Sequence, residues 1–148
     1  MKFTQIIFDV TDKIATITLN RPEARNALAP KMRVELAEAM DHIKEKAGED
    51  VKAVILTGAG GAFCAGGDVK SMGSRLNSAS KARAALRDDH QKMCDLMNLE
   101  LPVISLIDGA AAGAGANIAL AADFVLATPR GFLMQAFVRI GLVPDWGG

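Results

Sequence analysis

Residues 57–70, TGAGGAFCAGGDVK, carry five glycines within the ten positions 58–67. They follow an apolar run at 51–56 that reads as a buried strand. Glycine at this density is costly in chain entropy, so the backbone here must turn sharply or come close to something. A second small-residue segment, DGAAAGAGAN at 108–117, follows a second strand-like run at 103–107. Two such loops at equivalent strand ends imply one site built from backbone amides rather than side chains.

The rest of the chain supplies a frame for those loops. Residues 2–10 and 14–20 are rich in Ile, Thr and Val and read as two strands of a hairpin. Pro30 suits the first turn of a helix. Met32, Leu36, Ala39, Met40 and Ile43 follow at helical spacing, and Gly48 marks a stop. Residues 71–78 are polar and read as mobile. Ser80 is expected to cap a helix running to about Asn98, with Leu86, Met93 and Met97 partly inward. Residues 118–122 read as helix and 124–128 as a further strand. Strands alternate with helices, so the fold class is α/β with a largely parallel sheet, in one domain over residues 1–148. No closing helix follows the terminal Gly-Gly, which leads to the expectation of a shortened chain.

Composition excludes several classes of function. Seventeen basic and 17 acidic residues cancel, so no global field recruits nucleic acid or an anionic membrane. Cys64 and Cys94 lack metal-ligand spacing and read as reduced thiols of a cytoplasmic-type compartment. No signal-peptide pattern opens the chain, and its apolar runs fall well short of the ~20 residues of a membrane span. A phosphate-binding loop fails because no Gly-Lys-Ser or Gly-Lys-Thr occurs. A dinucleotide fingerprint starts at Gly113-Ala114-Gly115, but Ile118 stands where its third glycine belongs.

The combined motifs are more specific. GGAFCAGGDVK at 60–70 resembles the first signature of the enoyl-CoA hydratase/isomerase (crotonase) family. IDG at 107–109, GAG at 113–115 and ALAAD at 119–123 resemble its second. LNRP at 19–22, NAL at 26–28 and GLVP at 141–144 match flanking landmarks in order. The resemblance covers essentially the whole chain. It implies a crotonase-like ββα spiral, here lacking the family's C-terminal helical region. It also implies stabilisation of a thioester enolate by two backbone N–H groups, which fall on Gly67 and Ala114. The substrate implied is an acyl-CoA, so coenzyme A enters with the substrate and no separate cofactor or metal is expected. Its binding falls on the segments holding Arg25, Ala27, Leu28, Ala65, Gly66, Asp68, Val69 and Lys70, with Arg25 and Lys70 toward the phosphates. A homotrimer or hexamer is implied for the full-length form.

The acid–base residues depart from the hydratase pattern. The two positions that hold glutamates in hydratases carry Asn117 and Phe137, and neither transfers a proton at neutral pH. Asp145, in Val-Pro-Asp-Trp, remains as the candidate base, and some isomerase-type members carry an acid at this place. One base suffices for Δ3,Δ2-enoyl-CoA isomerisation. Hydration with a non-standard acid–base, and thioester binding without catalysis, stay as alternatives. Asp145 also reads as a simple turn residue after proline. Asp68 reads as a helix cap.

Overall fold

A tight hairpin starts the fold. The computed structural model describes residues 2–75 and 78–148. Strands β1 (Ile6–Thr11) and β2 (Ile14–Leu19) pair antiparallel, with Thr11 opposite Ile14. Asp12 and Lys13 between them have φ of 51° and 65°, the left-handed pair that a two-residue type I′ turn requires. The first strand begins at Ile6 rather than at residue 2, and one side chain explains why. Glu35 accepts the backbone N–H groups of Thr4, Gln5 (2.8 Å) and Ile6 (3.1 Å) and the Thr4 hydroxyl (3.0 Å). Those donors serve a helix side chain instead of a strand ladder.

Helix α1 (Pro30–Lys46) lays Met32, Leu36, Ala39, Met40 and Ile43 on the sheet. It is followed by β3 (Ala53–Gly58), α2 (Val69–Arg75), α3 (Ala79–Met97) and β4 (Val103–Ile107). Then come β5 (Ala110–Ala112), α4 (Ala114–Leu120), β6 (Phe124–Ala127) and β7 (Phe132–Met134). The main sheet has the order β1-β2-β3-β4-β6, and every pairing after the hairpin is parallel. Ala15, Ile17, Leu19, Val54, Leu56, Val103 and Ile107 alternate onto the face that α1 and α3 cover. Because β3 and β4 are parallel neighbours, the loops after them leave the sheet at one edge. That single topological fact brings the two glycine segments together.

Several boundaries differ from expectation. The stretch expected to be mobile at 71–78 is helical as far as 75, and 76–77 lie outside the described residues. The α3 cap is Ser78, whose hydroxyl accepts from the Lys81 N–H, not Ser80. Met93 is buried, whereas Met97 is 64% exposed and Leu86 43%. The second glycine segment is not all loop. Its alanines form β5 in a small parallel sheet with β7, and α4 starts at Ala114 rather than at 118.

Glu35 is buried at 4% exposure. Burial is the largest influence on its carboxyl and raises its pKa. The hydrogen bonds from Gln5, Thr4 and Ile6 together outweigh burial and hold it below its ordinary value. A lowered carboxylate contributes stability that is fully present above its unfolded pKa of 4.5 and is lost as pH falls through the folded value. Glu35→Gln is therefore expected to cost about 1–3 kcal/mol at pH 7. The gap to wild type should close on acidification, as read by urea denaturation at pH 7 and pH 3.5. A gap that stays constant across that range contradicts the assignment.

Candidate active site

The two glycine segments are knitted to each other by main-chain bonds. Phe63 and Cys64 donate to the Ala110 carbonyl at 2.9 and 3.0 Å, and Ala112 donates to the Cys64 carbonyl at 2.8 Å. Cys64 and Ala111 thus form a parallel bridge between loop and strand. Only small residues permit this approach. A Cβ on Gly115 would lie 2.5 Å from the Cys64 carbonyl oxygen. Gly66 has φ +92°, and a Cβ there would lie 2.7 Å from the Ala112 carbonyl oxygen and 3.5 Å from the Ala114 nitrogen. Asn26, fully buried, braces the first loop from outside. Its carboxamide donates to the carbonyls of Ala59 and Ala62, both at 2.8 Å, and accepts from the Arg21 N–H.

This packing leaves two amides pointing into one space. Leu28 bridges Gly67: its N–H donates to Gly66 O at 2.8 Å, and its carbonyl accepts from Asp68 N at 3.4 Å. Strand alternation then turns the Gly67 N–H away from Leu28. Ala114 is the first residue of α4, where a helix has no internal acceptor for its N–H. Among the described residues neither the Gly67 nor the Ala114 N–H has a hydrogen-bond acceptor. Both border a cavity of about 490 Å³ that also takes in Arg33, Phe137, Asp145 and Trp146. Two such donors from different loops can hold an oxygen on which negative charge develops.

Asp145 enters that cavity on a turn anchored through its carbonyl. Its carbonyl accepts from the Asn117 carboxamide and from the Gly148 N–H at 3.1 Å. Asn117 is buried and accepts from the Gln135 amide at 2.8 Å. Asp145 Oδ1 is closed off from solvent. Phe137 is buried at 7% exposure and presses its ring against Gly113, with 3.7 Å to the place a Cβ would take there. Asn117 and Phe137, the positions where the resemblance puts the hydratase glutamates, thus serve as a turn anchor and an apolar wall. Val143, two residues before Asp145, is 80% exposed at the rim.

The segments assigned to coenzyme A are joined: Ala65 N donates to Arg25 O at 2.9 Å, beside the Leu28–Gly66 bond. Ala65, Gly66 and Val69 border the cavity. Arg25 and Lys70 are exposed. Leu28 is fully buried, with N–H and carbonyl both engaged in the chain. The Ala27 carbonyl takes an Arg21 guanidinium N–H at 2.7 Å. Asp68 faces Arg21 (3.1 Å) and accepts the Lys70 N–H at 3.1 Å, a cap at the start of α2. Met72 and His90 also line the cavity, as do Arg33 and Asp89. None of these four was assigned to the site from sequence: Met72 lies in the stretch expected to be mobile, and the other three sit in ordinary amphipathic helix patterns.

A family model for enoyl-CoA hydratase/isomerase matches residues 9–148. The chain belongs to that family. A Rhodobacter capsulatus protein described as a probable enoyl-CoA hydratase is 42% identical over all of this chain and 55% of its own length. A 1,2-epoxyphenylacetyl-CoA isomerase of Escherichia coli is 34% identical over 97% of this chain and 55% of its own. The structure of an enoyl-CoA hydratase/isomerase from Xanthobacter autotrophicus superposes with a TM-score of 0.88 at 34% identity, covering 95% of this chain and 52% of that one. This chain therefore spans about half the length of the enoyl-CoA hydratase/isomerase relatives it matches. The crotonase-like α/β fold expected from the motifs is the fold observed.

Cys64 lies at the centre of the family's first signature but is not poised for chemistry. Burial pushes its thiol up to about 12, against the opposing Gly66 N–H, and Sγ donates to the Asn26 carbonyl at 3.1 Å. At pH 8 only about one thiol in 10⁴ is then ionised. Iodoacetamide on the native protein is expected to label the exposed Cys94 and spare Cys64, as read by peptide mass spectrometry. Equal labelling of both rejects this. Among the described residues no cluster of His, Cys, Asp and Glu is placed to hold a metal, and no helix is long and apolar enough to cross a membrane.

Proposed function

We propose that this site acts on acyl-CoA thioesters by stabilising an enolate, and that its reaction is Δ3,Δ2-enoyl-CoA isomerisation. One observation carries the reading: the acceptor-free Gly67 and Ala114 amides share a cavity with Asp145, while the hydratase glutamate positions are Asn117 and Phe137. The thioester oxygen sits between the two amides. The Asp145 carboxylate removes a proton from the α-carbon of a 3-enoyl-CoA. The electron pair moves into the thioester, giving a dienolate whose oxygen the two N–H groups hold. The same carboxyl group returns the proton at the γ-carbon, and the double bond is left in conjugation with the thioester. Neither step consumes water or a cofactor.

Coenzyme A lies along the joined 25–28 and 65–70 segments in this reading, with the exposed Arg25 and Lys70 near its phosphates. Two relatives are named isomerases, the 1,2-epoxyphenylacetyl-CoA isomerase and a trans-2-decenoyl-[acyl-carrier-protein] isomerase of Streptococcus mutans. These names are compatible with isomerisation, while other relatives, the Rhodobacter capsulatus protein among them, carry hydratase names. The apolar side chains left exposed on β6 and β7, such as Phe124, Leu126 and Phe132, support self-association of the kind the family resemblance implies. The test is turnover: 3-enoyl-CoA should be converted to 2-enoyl-CoA, and 2-enoyl-CoA should not be hydrated. Efficient hydration overturns the isomerase reading, and binding without turnover of any thioester overturns the enzymatic one.

A further inference from the structure

Arg33 is a charged residue on the buried face of α1, at 6% exposure, and no step above uses it. Its guanidinium reaches three parts of the site. Nε donates to the Leu28 carbonyl at 3.2 Å. That is the same carbonyl that receives the Asp68 N–H; it holds the 67–68 peptide, while the Leu28 N–H holds the adjoining 66–67 peptide that carries the Gly67 N–H. Nη1 bonds both oxygens of Asp89 on α3, at 3.1 and 2.9 Å. Cζ stands 5.6 Å from the centre of the Trp146 ring, within cation–π range. Nη2 lies 3.8 Å from the place a Cβ on Gly67 would take. Trp146 is itself buried at 3% with φ of 51°, so something must hold it in that backbone conformation.

We propose that Arg33 is a positioning residue for both halves of the site, tying the Gly67 amide to the Asp145–Trp146 turn. One arm runs through the Leu28 carbonyl to Gly67. The other runs through the Trp146 ring to the adjacent Asp145. Asp89 neutralises the buried cation and fixes the plane of its fork. Arg33 thereby sets the separation between the oxygen-holding donors and the base. The catalytic part of this inference rests on the isomerase reading; the positioning part does not.

The chain's one tryptophan is Trp146, which provides a readout independent of turnover. In R33Q/D89N, which removes both charges of the pair, Trp146 emission should shift to the red and acrylamide quenching should rise several-fold. The same variant should lose about 10²-fold in kcat, the size expected for misplaced reacting groups, with KM within about threefold. R33K keeps a cation beside Asp89 and Trp146 but has no second nitrogen for Leu28. It should preserve the Trp146 signal while losing about tenfold in kcat. If the double variant does not fold by circular dichroism, R33K decides alone, and unchanged kcat there overturns the proposal. Trp146 emission and quenching identical in wild type and folded R33Q/D89N also overturn it, whatever the activity. If wild type converts no 3-enoyl-CoA, the functional reading falls and the Trp146 signal still decides this one.

Discussion

Asp145→Asn is expected to lower kcat for 3-enoyl-CoA isomerisation by about 10²–10⁴-fold, the range for losing a general acid–base group. The substitution is close to isosteric. The Asp145 carbonyl keeps its bonds from Asn117 and Gly148, so the turn should persist. Binding of a saturated acyl-CoA, measured by calorimetry, should change by less than about threefold, because the two amides and the cavity wall are untouched. The combination of lost kcat and retained binding separates a proton-transfer role from a packing role. Isomerisation within about threefold of wild type removes Asp145 from the mechanism.

The second large effect concerns an amide that no side-chain replacement can delete directly. Gly66→Ala should displace it. The new methyl must adopt φ +92° and would meet the Ala112 carbonyl oxygen at 2.7 Å. Both loops are held there by backbone bonds, so the 66–67 peptide must move. Loss of one oxyanion donor costs about 2.7–4 kcal/mol of transition-state stabilisation, or about 10²–10³-fold in kcat. Gly61→Ala is the control. Gly61 also has positive φ, at +77°, but a Cβ there meets nothing within 4 Å. It should cost about 1–2 kcal/mol of stability and leave kcat unchanged. Equal kinetic losses in both variants would show that backbone strain, rather than the Gly67 amide, governs activity.

Much of the backbone framework around the candidate site was legible because glycine carries backbone information in its identity. Gly66 and Gly115 mark places where a Cβ has no room, and a reader of sequence sees both. The parallel order of β3 and β4 followed from apolar runs with a helical crossover between them. What stayed hidden depended on distant partners. Ala110–Ala112 has no intrinsic strand preference and becomes β5 only by pairing with Phe132–Met134 and accepting from Phe63 and Cys64. Ser78 and Ser80 are equivalent caps on paper, and the Lys81 N–H decides between them. Arg33 and Glu35 occupy buried positions of α1, yet periodicity cannot tell a buried charge from a solvated one. The partner that makes Arg33 tolerable, Asp89, is 56 residues away.

Asn117 ties two chemistries to one position. Its carboxamide is a donor toward the Asp145 carbonyl and an acceptor toward Gln135. A carboxylate can only accept, so a glutamate there would confront the Asp145 carbonyl with a second lone pair. Asn117→Glu would therefore loosen the turn that carries the candidate base. Phe137, packed on Gly113, keeps the facing wall of the cavity apolar. If the proposed isomerisation is the activity, a carboxylate placed first at position 117 weakens the support of the base before one at position 137 can complete a pair, which is a sign-epistatic valley.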